Sequence, residues 1–512
     1  VFAKCHHGCF YYKGSKFFVH PGMQGSLLDE QLDACKKAGV SAKIYISAGI
    51  DEHISRQHPE WLRREKYGED QDATGFRRLC FNSEYLDILK EQTREVVERY
   101  KPDGVFFDII STWPCYCDNC LAEMKRRGLD PKDEKQAQIV NDEVNMRYFK
   151  EINAVVKSVS PNTQIVHNVP YHICTQEYID VNDRIELESL PTGGWGYDNF
   201  PAMVAYLRRQ NKNVVGMTGK FHRSWGEFGG YKYPEALRFE AALDLAYGTG
   251  MSVGDQLHPS GKLDDYTYEM IGNTFNWFEK RQKYSGGEYL SELALYSPSL
   301  GIESDQDART GASRILLEDK YLFDMIGADE IDKKYLLIII ATARPLSAAE
   351  VEKFKIYADN GGKILAQGSA AGSLIDGGVD LGFTEITADD LTPCYYVSKY
   401  PLKAGNGVPL VVFGKSWNIK ASGEVLCDKL SPYFKREGKN FCSHAHTPCD
   451  YDKVSPAITV GKHGIAVASD LFTLYATDGG MTAKVLITPL IERLLNNKKT
   501  VITDLPSSGK VT

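Results

Sequence analysis

Seven apolar runs of strand length, each closed by polar or aromatic residues, alternate with amphipathic stretches over the first half of this chain. The runs are Phe2–His7, Ala42–Ser47, Gly104–Ile109, Gln164–Asn168, Arg184–Leu190, Asn213–Thr218 and Met251–Gln256, with helical patterns over Leu27–Ala38, Ser83–Tyr100, Asn141–Ser158, Phe200–Gln210 and Tyr233–Tyr247 between them. Strands alternating with helices predict parallel β/α units and an α/β fold class. Seven strands in a chain that begins on one predict a (β/α)8 TIM barrel over residues 1–284 whose first strand and helix are missing. Val1 stands where an initiator methionine would be, and Thr500–Thr512 stops as a strand-and-turn pattern begins, so the sequence reads as a piece of a longer protein. The alternative is a doubly wound open sheet. It would need a glycine-rich phosphate turn after an early strand, and none is present.

A second alternation follows over residues 285–498. Leu293–Ser297, Leu336–Ala341 and Lys363–Ala366 read as strands, and Thr310–Met325 and Ser347–Asp359 as helices. Asp359-Asn360-Gly361-Gly362 closes the last of these as a C-cap. This predicts a flavodoxin-like α/β domain after the barrel. It carries no nucleophile elbow, so a structural or oligomerisation role is expected. Residues 499–512 read as the start of a C-terminal β domain.

A length of 512 residues suits about two to four domains. The net charge is −8 with no basic run, which argues against a nucleic-acid partner. The longest apolar runs, such as Leu336–Ala343, have strand length, so no membrane span is expected. No signal peptide opens the sequence, and a cytoplasmic location is the expectation.

A barrel carries its chemistry at the carboxyl ends of its strands. Gly104, Phe106 and Asp108 share one face of their run, so Asp108 points into the barrel mouth if Val105 and Phe107 meet helices. An aspartate ending such an apolar strand is either functional or a buried carboxylate capping a loop. Glu186 and Glu188 share a face of Arg184–Leu190, with Glu188 nearer the carboxyl end. Two carboxyl groups flanking one bond are the apparatus of glycoside hydrolysis. Asp108 and Glu188 are therefore the expected catalytic pair, with Glu227 and Glu186 as alternative acid/base groups. His6, His7, His167, Trp195, His222, Trp225 and Asp255 end other strands and suit sugar hydroxyls and ring faces.

Cys115-Tyr116-Cys117-Asp118-Asn119-Cys120 places three thiols just after Asp108, and Cys80 precedes the helix leading to that strand. Four thiolates make a closed tetrahedral zinc site of structural type. Unliganded thiols or a disulfide are the alternatives. Cys5, Cys9, Cys35, Cys174, Cys394, Cys427, Cys442 and Cys449 show no metal spacing, and no organic cofactor is expected.

Three of these segments resemble the family 29 α-L-fucosidases: Ala3-Lys4-Cys5-His6-His7-Gly8-Cys9-Phe10, Lys43-Ile44-Tyr45-Ile46-Ser47, and Tyr100-Lys101-Pro102-Asp103 through Phe107-Asp108. The chain departs from that pattern where the motif's aspartate is replaced by His7 or lost, and where Ile109 stands in place of a glycine. Over nearly its whole length it resembles the family 151 α-L-fucosidases and the barrels grouped with them, through Pro114–Cys120 and Leu190–Tyr197. The cysteine spacing is similar to the zinc site of family 42 β-galactosidases, and the second domain to their trimerisation domain. The resemblance implies an exo-acting retaining α-L-fucosidase with Asp108 as nucleophile. It also implies sugar contacts from His6, His7 and Tyr45, an oligosaccharide or glycoconjugate substrate, and a homo-oligomer, dimer or trimer. A β-galactosidase or related exo-glycosidase on the same scaffold, or a catalytically silent carbohydrate-binding protein, are the competing readings.

Overall fold

A computed structural model describes residues 1–68, 76–169, 176–297, 306–331 and 334–511. Cys174 lies outside them. The chain forms two compact units, Val1–Glu186 and Leu187–Thr512.

The first unit runs β1 (Phe2–Lys4), α1 (Leu27–Lys37), β2 (Lys43–Ser47), α2 (Glu52–Gln57), α3 (Tyr85–Tyr100), β3 (Gly104–Asp108), α4 (Asp118–Arg126), α5 (Glu134–Val159), β4 (Gln164–His167) and α6 (Gln176–Asp180). Its strands lie side by side in chain order and pair in parallel. The order follows from the sequence: α3 buries Tyr85, Leu86, Leu89, Gln92, Thr93, Val96 and Val97 at helical period. Lys101, at φ 39°, caps it in the left-handed conformation and turns the chain into β3. The first strand is shorter than the sequence predicts. Gly8, at φ 80°, donates its N–H to the Cys5 carbonyl, so His6 and His7 lie in a turn beyond Lys4.

β5 (Ile185–Glu188) crosses the junction of the units and neighbours β6 (Val214–Gly219) after α7 (Asn199–Leu207). β6 pairs in parallel with β7 (Gly250–Gly254) across α8 (Pro234–Ala246), and α9 (Asp265–Glu279) follows. All seven strands expected in residues 1–284 are present, in a four-stranded and a three-stranded sheet.

The second unit continues with β8 (Leu293–Tyr296), α10 (Gln306–Glu318), β9 (Phe323–Ile326), β10 (Leu337–Ile340), α11 (Ala348–Asp359), β11 (Lys363–Gln367), α12 (Gly368–Asp376) and β12 (Phe383–Asp389). It ends with β13 (Cys394–Ser398), β14 (Leu410–Val412), β15 (Ser416–Ala421), β16 (Glu424–Pro432), β17 (Cys449–Val460), β18 (Gly464–Val467), α13 (Leu471–Asp478) and α14 (Met481–Leu494). A nine-stranded sheet has the order β14-β13-β16-β17-β18-β11-β10-β8-β9. Its parallel half, read from β9, has the 2-1-3-4-5 order of flavodoxin-like sheets. Its antiparallel half, β18 to β14, is absent from the sequence expectation.

One expected helix is corrected. Thr310–Met325 is not continuous, because α10 ends at Glu318 and Lys320 turns at φ 60°. Phe323–Ile326 then forms β9, buried throughout. Asp324 in that strand receives Arg208 and Arg209 at 2.8 Å each, which fastens α7 to it. No described helix is long and apolar enough to cross a membrane. Residues 499–511 contain no strand.

Candidate active site

Strand alternation builds the site at the carboxyl ends of β1–β4. Parallel pairing sets Tyr45 beside Phe106 and Ser47 beside Asp108, while Phe107 lies beside His167. Asp108 and Tyr45 thus share one sheet face, and Phe107 and His167 take the other.

The half-buried Asp108 carboxylate accepts three hydrogen bonds. Tyr45 Oη donates to Oδ2 at 2.5 Å, and Asn168 Nδ2 and the Ile109 N–H donate to Oδ1 at 2.9 Å each. Both oxygens are oriented by neutral donors. Burial raises the Tyr45 phenol well above its ordinary range, and the Asp108 charge adds to this, so it remains a donor. Asn168 was not singled out from the sequence. It adjoins His167, and the register of β4 against β3 is what puts it on the face of Asp108.

The peptide after Asp108 is strained. Ile109 has φ 62°, a left-handed conformation that a β-branched residue adopts at a cost of about 1–3 kcal/mol. The Asp108 carbonyl accepts from the Ala48 and Gly49 N–H groups at 3.0 and 3.3 Å, tying the ends of β2 and β3 together. A Cβ on Gly49 would fall 1.8 Å from the Ile109 carbonyl oxygen, so only glycine fits there.

His6 and His7 divide their work. Ser47 Oγ donates its proton to the Ile50 carbonyl at 2.8 Å and therefore accepts from His6 Nδ1 at 2.9 Å. That fixes His6 with a protonated Nδ1 and an accepting Nε2. Burial lowers the His6 pKa, and the Asp108 charge offsets this in part. His7 is held within its own turn: Cys9 N–H donates to Nδ1 at 2.9 Å, and Nε2 bonds Tyr11 Oη at 2.7 Å. Beneath them the fully buried Lys4 ammonium reaches Asp51 at 3.1 Å and Gln92 at 2.9 Å.

His167 does not join this group. It is fully buried on the helix side, 2.9 Å from Asn153 Oδ1 and 3.1 Å from Tyr148 Oη, and stacked on Phe107. Burial pushes its pKa down to about 3, so it is a neutral core residue. The substrate contact expected from the sequence is withdrawn, because β4 parity turns the ring away from Asp108.

The remaining expected residues lie at or beyond the junction of the two units. Glu186 is buried and ion-paired with Arg184. Glu188, the last residue of β5, is half-buried. Glu227 accepts the Arg223 N–H at 2.8 Å. Backbone donors, Arg223 first, hold its carboxyl below the usual range. Trp195 and Trp225 are exposed, as is His222, and Trp225 lies against Gly254 at the end of β7. Asp255 is half-buried, and with burial its charge raises the Tyr268 phenol. Sequence reasoning also missed Glu240 on α8. Its carboxyl is raised by burial, pairs with Lys232 at 2.6 Å, and lines a small pocket with Thr218 of β6 and Asp244.

The four cysteines converge. Cys80, Cys115, Cys117 and Cys120 are buried, with every sulfur within 4.8 Å of the others. The Cys80 sulfur lies 3.6 Å from Cys120 and 3.8 Å from Cys115. A zinc tetrathiolate with Zn–S near 2.3 Å has edges of about 3.8 Å, so the set fits a tetrahedral divalent ion. A disulfide would require about 2.05 Å. The Asn82 N–H also donates to the Cys80 sulfur at 3.3 Å. The segment between Asp108 and this cluster is gripped along its backbone. The carbonyls of Ser111, Thr112 and Trp113 accept from Asn145 (2.9 Å), Asn141 (3.0 Å) and Arg63 (2.6 Å).

Residues 1–109 match a family described as hypothetical glycosyl hydrolase 6. The α-L-fucosidase isoenzyme 2 of Paenibacillus thiaminolyticus is 34% identical with a TM-score of 0.90, over 99% of this chain and 80% of that one. Two β-galactosidases share the fold alone. That of Bacillus circulans sp. alkalophilus is 14% identical at TM-score 0.71, over 98% of this chain and 85% of its own. That of Rahnella sp. R3 is 15% identical at TM-score 0.71, over 95% and 83%. No curated protein matches the chain in sequence.

Proposed function

This chain belongs to the glycoside hydrolase family that includes the Paenibacillus enzyme, and on that premise we propose that it is an exo-acting retaining α-L-fucosidase releasing terminal L-fucose from oligosaccharides or glycoconjugates. The observation that carries this reading is the Asp108 carboxylate, held by three donors and within electrostatic reach of the His6 imidazole. Asp108 attacks the anomeric carbon, Glu188 protonates the leaving oxygen, and His6 accepts a hydrogen bond from a sugar hydroxyl. Glu227 is less suited to donate a proton, because backbone donors stabilise its charged form. Glu186 already faces Arg184. The seven strands of residues 1–284 belong, in this reading, to one (β/α)8 barrel. Retention requires the two catalytic carboxyl groups to stand about 5–5.5 Å apart there.

Cys80, Cys115, Cys117 and Cys120 hold one zinc ion of structural type, with no open position for substrate. It stiffens the segment that leads away from Asp108. Residues 285–498 supply a homo-oligomer interface.

Azide rescue of Asp108→Gly on an aryl α-L-fucoside tests nucleophile and stereochemistry together. The expected product is the β-L-fucosyl azide, since azide enters on the face Asp108 has vacated. Undiminished hydrolysis by Asp108→Ala would overturn the mechanism. Release from an aryl β-galactoside but not the fucoside would overturn the substrate.

A further inference from the structure

Arg63 is 2% exposed, and among the described residues no carboxylate pairs with it. Its hydrogen-bond partners are the Trp113 carbonyl at 2.6 Å and Asn141 Oδ1 at 3.3 Å, both neutral, and its Nε has no partner. A guanidinium cannot shed its proton, and a buried charge without a counter-charge is strongly unfavourable. Burial opposes its charge, and the thiols of Cys115, Cys80, Cys120 and Cys117 are the largest electrostatic influences that favour it. Arg63 follows an isolated bridge between Leu62 and Leu79; beside it the Cys80 N–H donates to the Trp61 carbonyl and the Tyr116 N–H to the Arg64 carbonyl, at 2.8 Å each, so its segment runs between the two parts of the cysteine cluster.

We propose that Arg63 is the built-in counter-charge of a tetrathiolate site for a divalent, thiophilic cation, and that it couples this site to the Trp113 carbonyl on the segment after Asp108. The inference rests on the cysteine cluster holding a metal. Four neutral thiols, or two disulfides, would leave the guanidinium buried without any opposing charge. Four thiolates around a divalent ion carry two net negative charges, and Arg63 reduces them to one. The same side chain then serves both ends: its charge acts on the thiolates through the buried interior, and its Nη2 hydrogen fixes the backbone at Trp113. Arg63 is thus a positioning residue. Its charge sets how firmly the ion is held, and its hydrogen bond passes that firmness to the site segment.

The test is zinc affinity, measured on the full chain by competition with a chromogenic chelator, for wild type, Arg63→Met, Arg63→Gln and Arg63→Lys. Loss of a group that supports metal ligands weakens affinity about 10–100-fold, and R63M and R63Q are expected in that range. R63K keeps the charge and is expected within about threefold of wild type, a rescue that mere filling of the space would not give. Wild-type affinity in R63M overturns the proposal, as does R63K as weak as R63M. If the neutral variants do not fold, R63K against wild type still decides: a tenfold loss overturns it. Wild-type protein that binds no zinc overturns this proposal and the metal reading together, whereas zinc-bound wild type with an indifferent R63M overturns this one alone.

Discussion

His167 should make this enzyme sensitive to acid without taking part in its reaction. Its imidazole has a pKa of about 3 in the folded chain against 6.5 ordinarily, because burial among Phe107, Tyr148 and Phe149 excludes the charged form. Below pH 6.5 the unfolded chain takes up a proton that the native state refuses. Stability therefore falls as pH falls, and the loss levels off only near pH 3, where the ring charges in place. Above pH 6.5 the contribution vanishes. At pH 5 the gap from the unfolded value is about 1.5 pH units, worth about 2 kcal/mol at roughly 1.4 kcal/mol each. Urea unfolding of wild type and His167→Gln at pH 7.5 and pH 5 isolates this contribution. The variant starts lower, having lost the stack on Phe107, but should lose about 2 kcal/mol less than wild type between the two pH values. Its kcat/KM at pH 7.5 should stay near the wild-type value. Parallel losses in the two proteins, or an imidazole resonance titrating near pH 6.5, would refute the burial argument. A collapse of kcat in a folded variant would return His167 to the substrate.

Tyr45→Phe removes the 2.5 Å donor to Asp108. A hydrogen bond to a charged group contributes about 1.5–3 kcal/mol, so kcat/KM on an aryl fucoside should fall roughly 10- to 100-fold with the fold intact by circular dichroism. Gly49→Ala drives a methyl group into the Ile109 carbonyl. Overpacking of this kind costs about 1–3 kcal/mol, so Tm should drop and activity with it; an unchanged Tm contradicts the close approach. Cys117→Ser should reduce zinc from about one ion per chain and lower the unfolding temperature, read by elemental analysis and a melting curve. Equal metal content in the two proteins would remove Cys117 from the site.

The strands of residues 1–284 were legible because buried parallel strands are continuous apolar runs, and their polar ends stand out against them. Cys80 and the later cysteine run were legible because thiols in metal spacing have few other uses. What the sequence hid was parity. His167 and Asn168 are adjacent, and only the register of β4 against β3 assigns one to the helices and the other to Asp108. The Tyr321–Ile326 run shows a second limit. Its apolar residues fit a helical extension of α10 as well as a strand, and the break at Lys320 depends on a backbone angle that lysine does not advertise. The antiparallel half of the large sheet was hidden for a third reason. Its strands follow one another through turns, without the helices that mark a parallel crossover.

Residue 109 gives this site a built-in conflict between endurance and work. Glycine or asparagine would occupy the left-handed backbone there with less strain than isoleucine, so a screen that rewards heat resistance alone has an easy exit at that position. The same peptide supplies an N–H to Asp108, and its carbonyl rests against Gly49. Variants recovered by such a screen should survive longer and turn over more slowly.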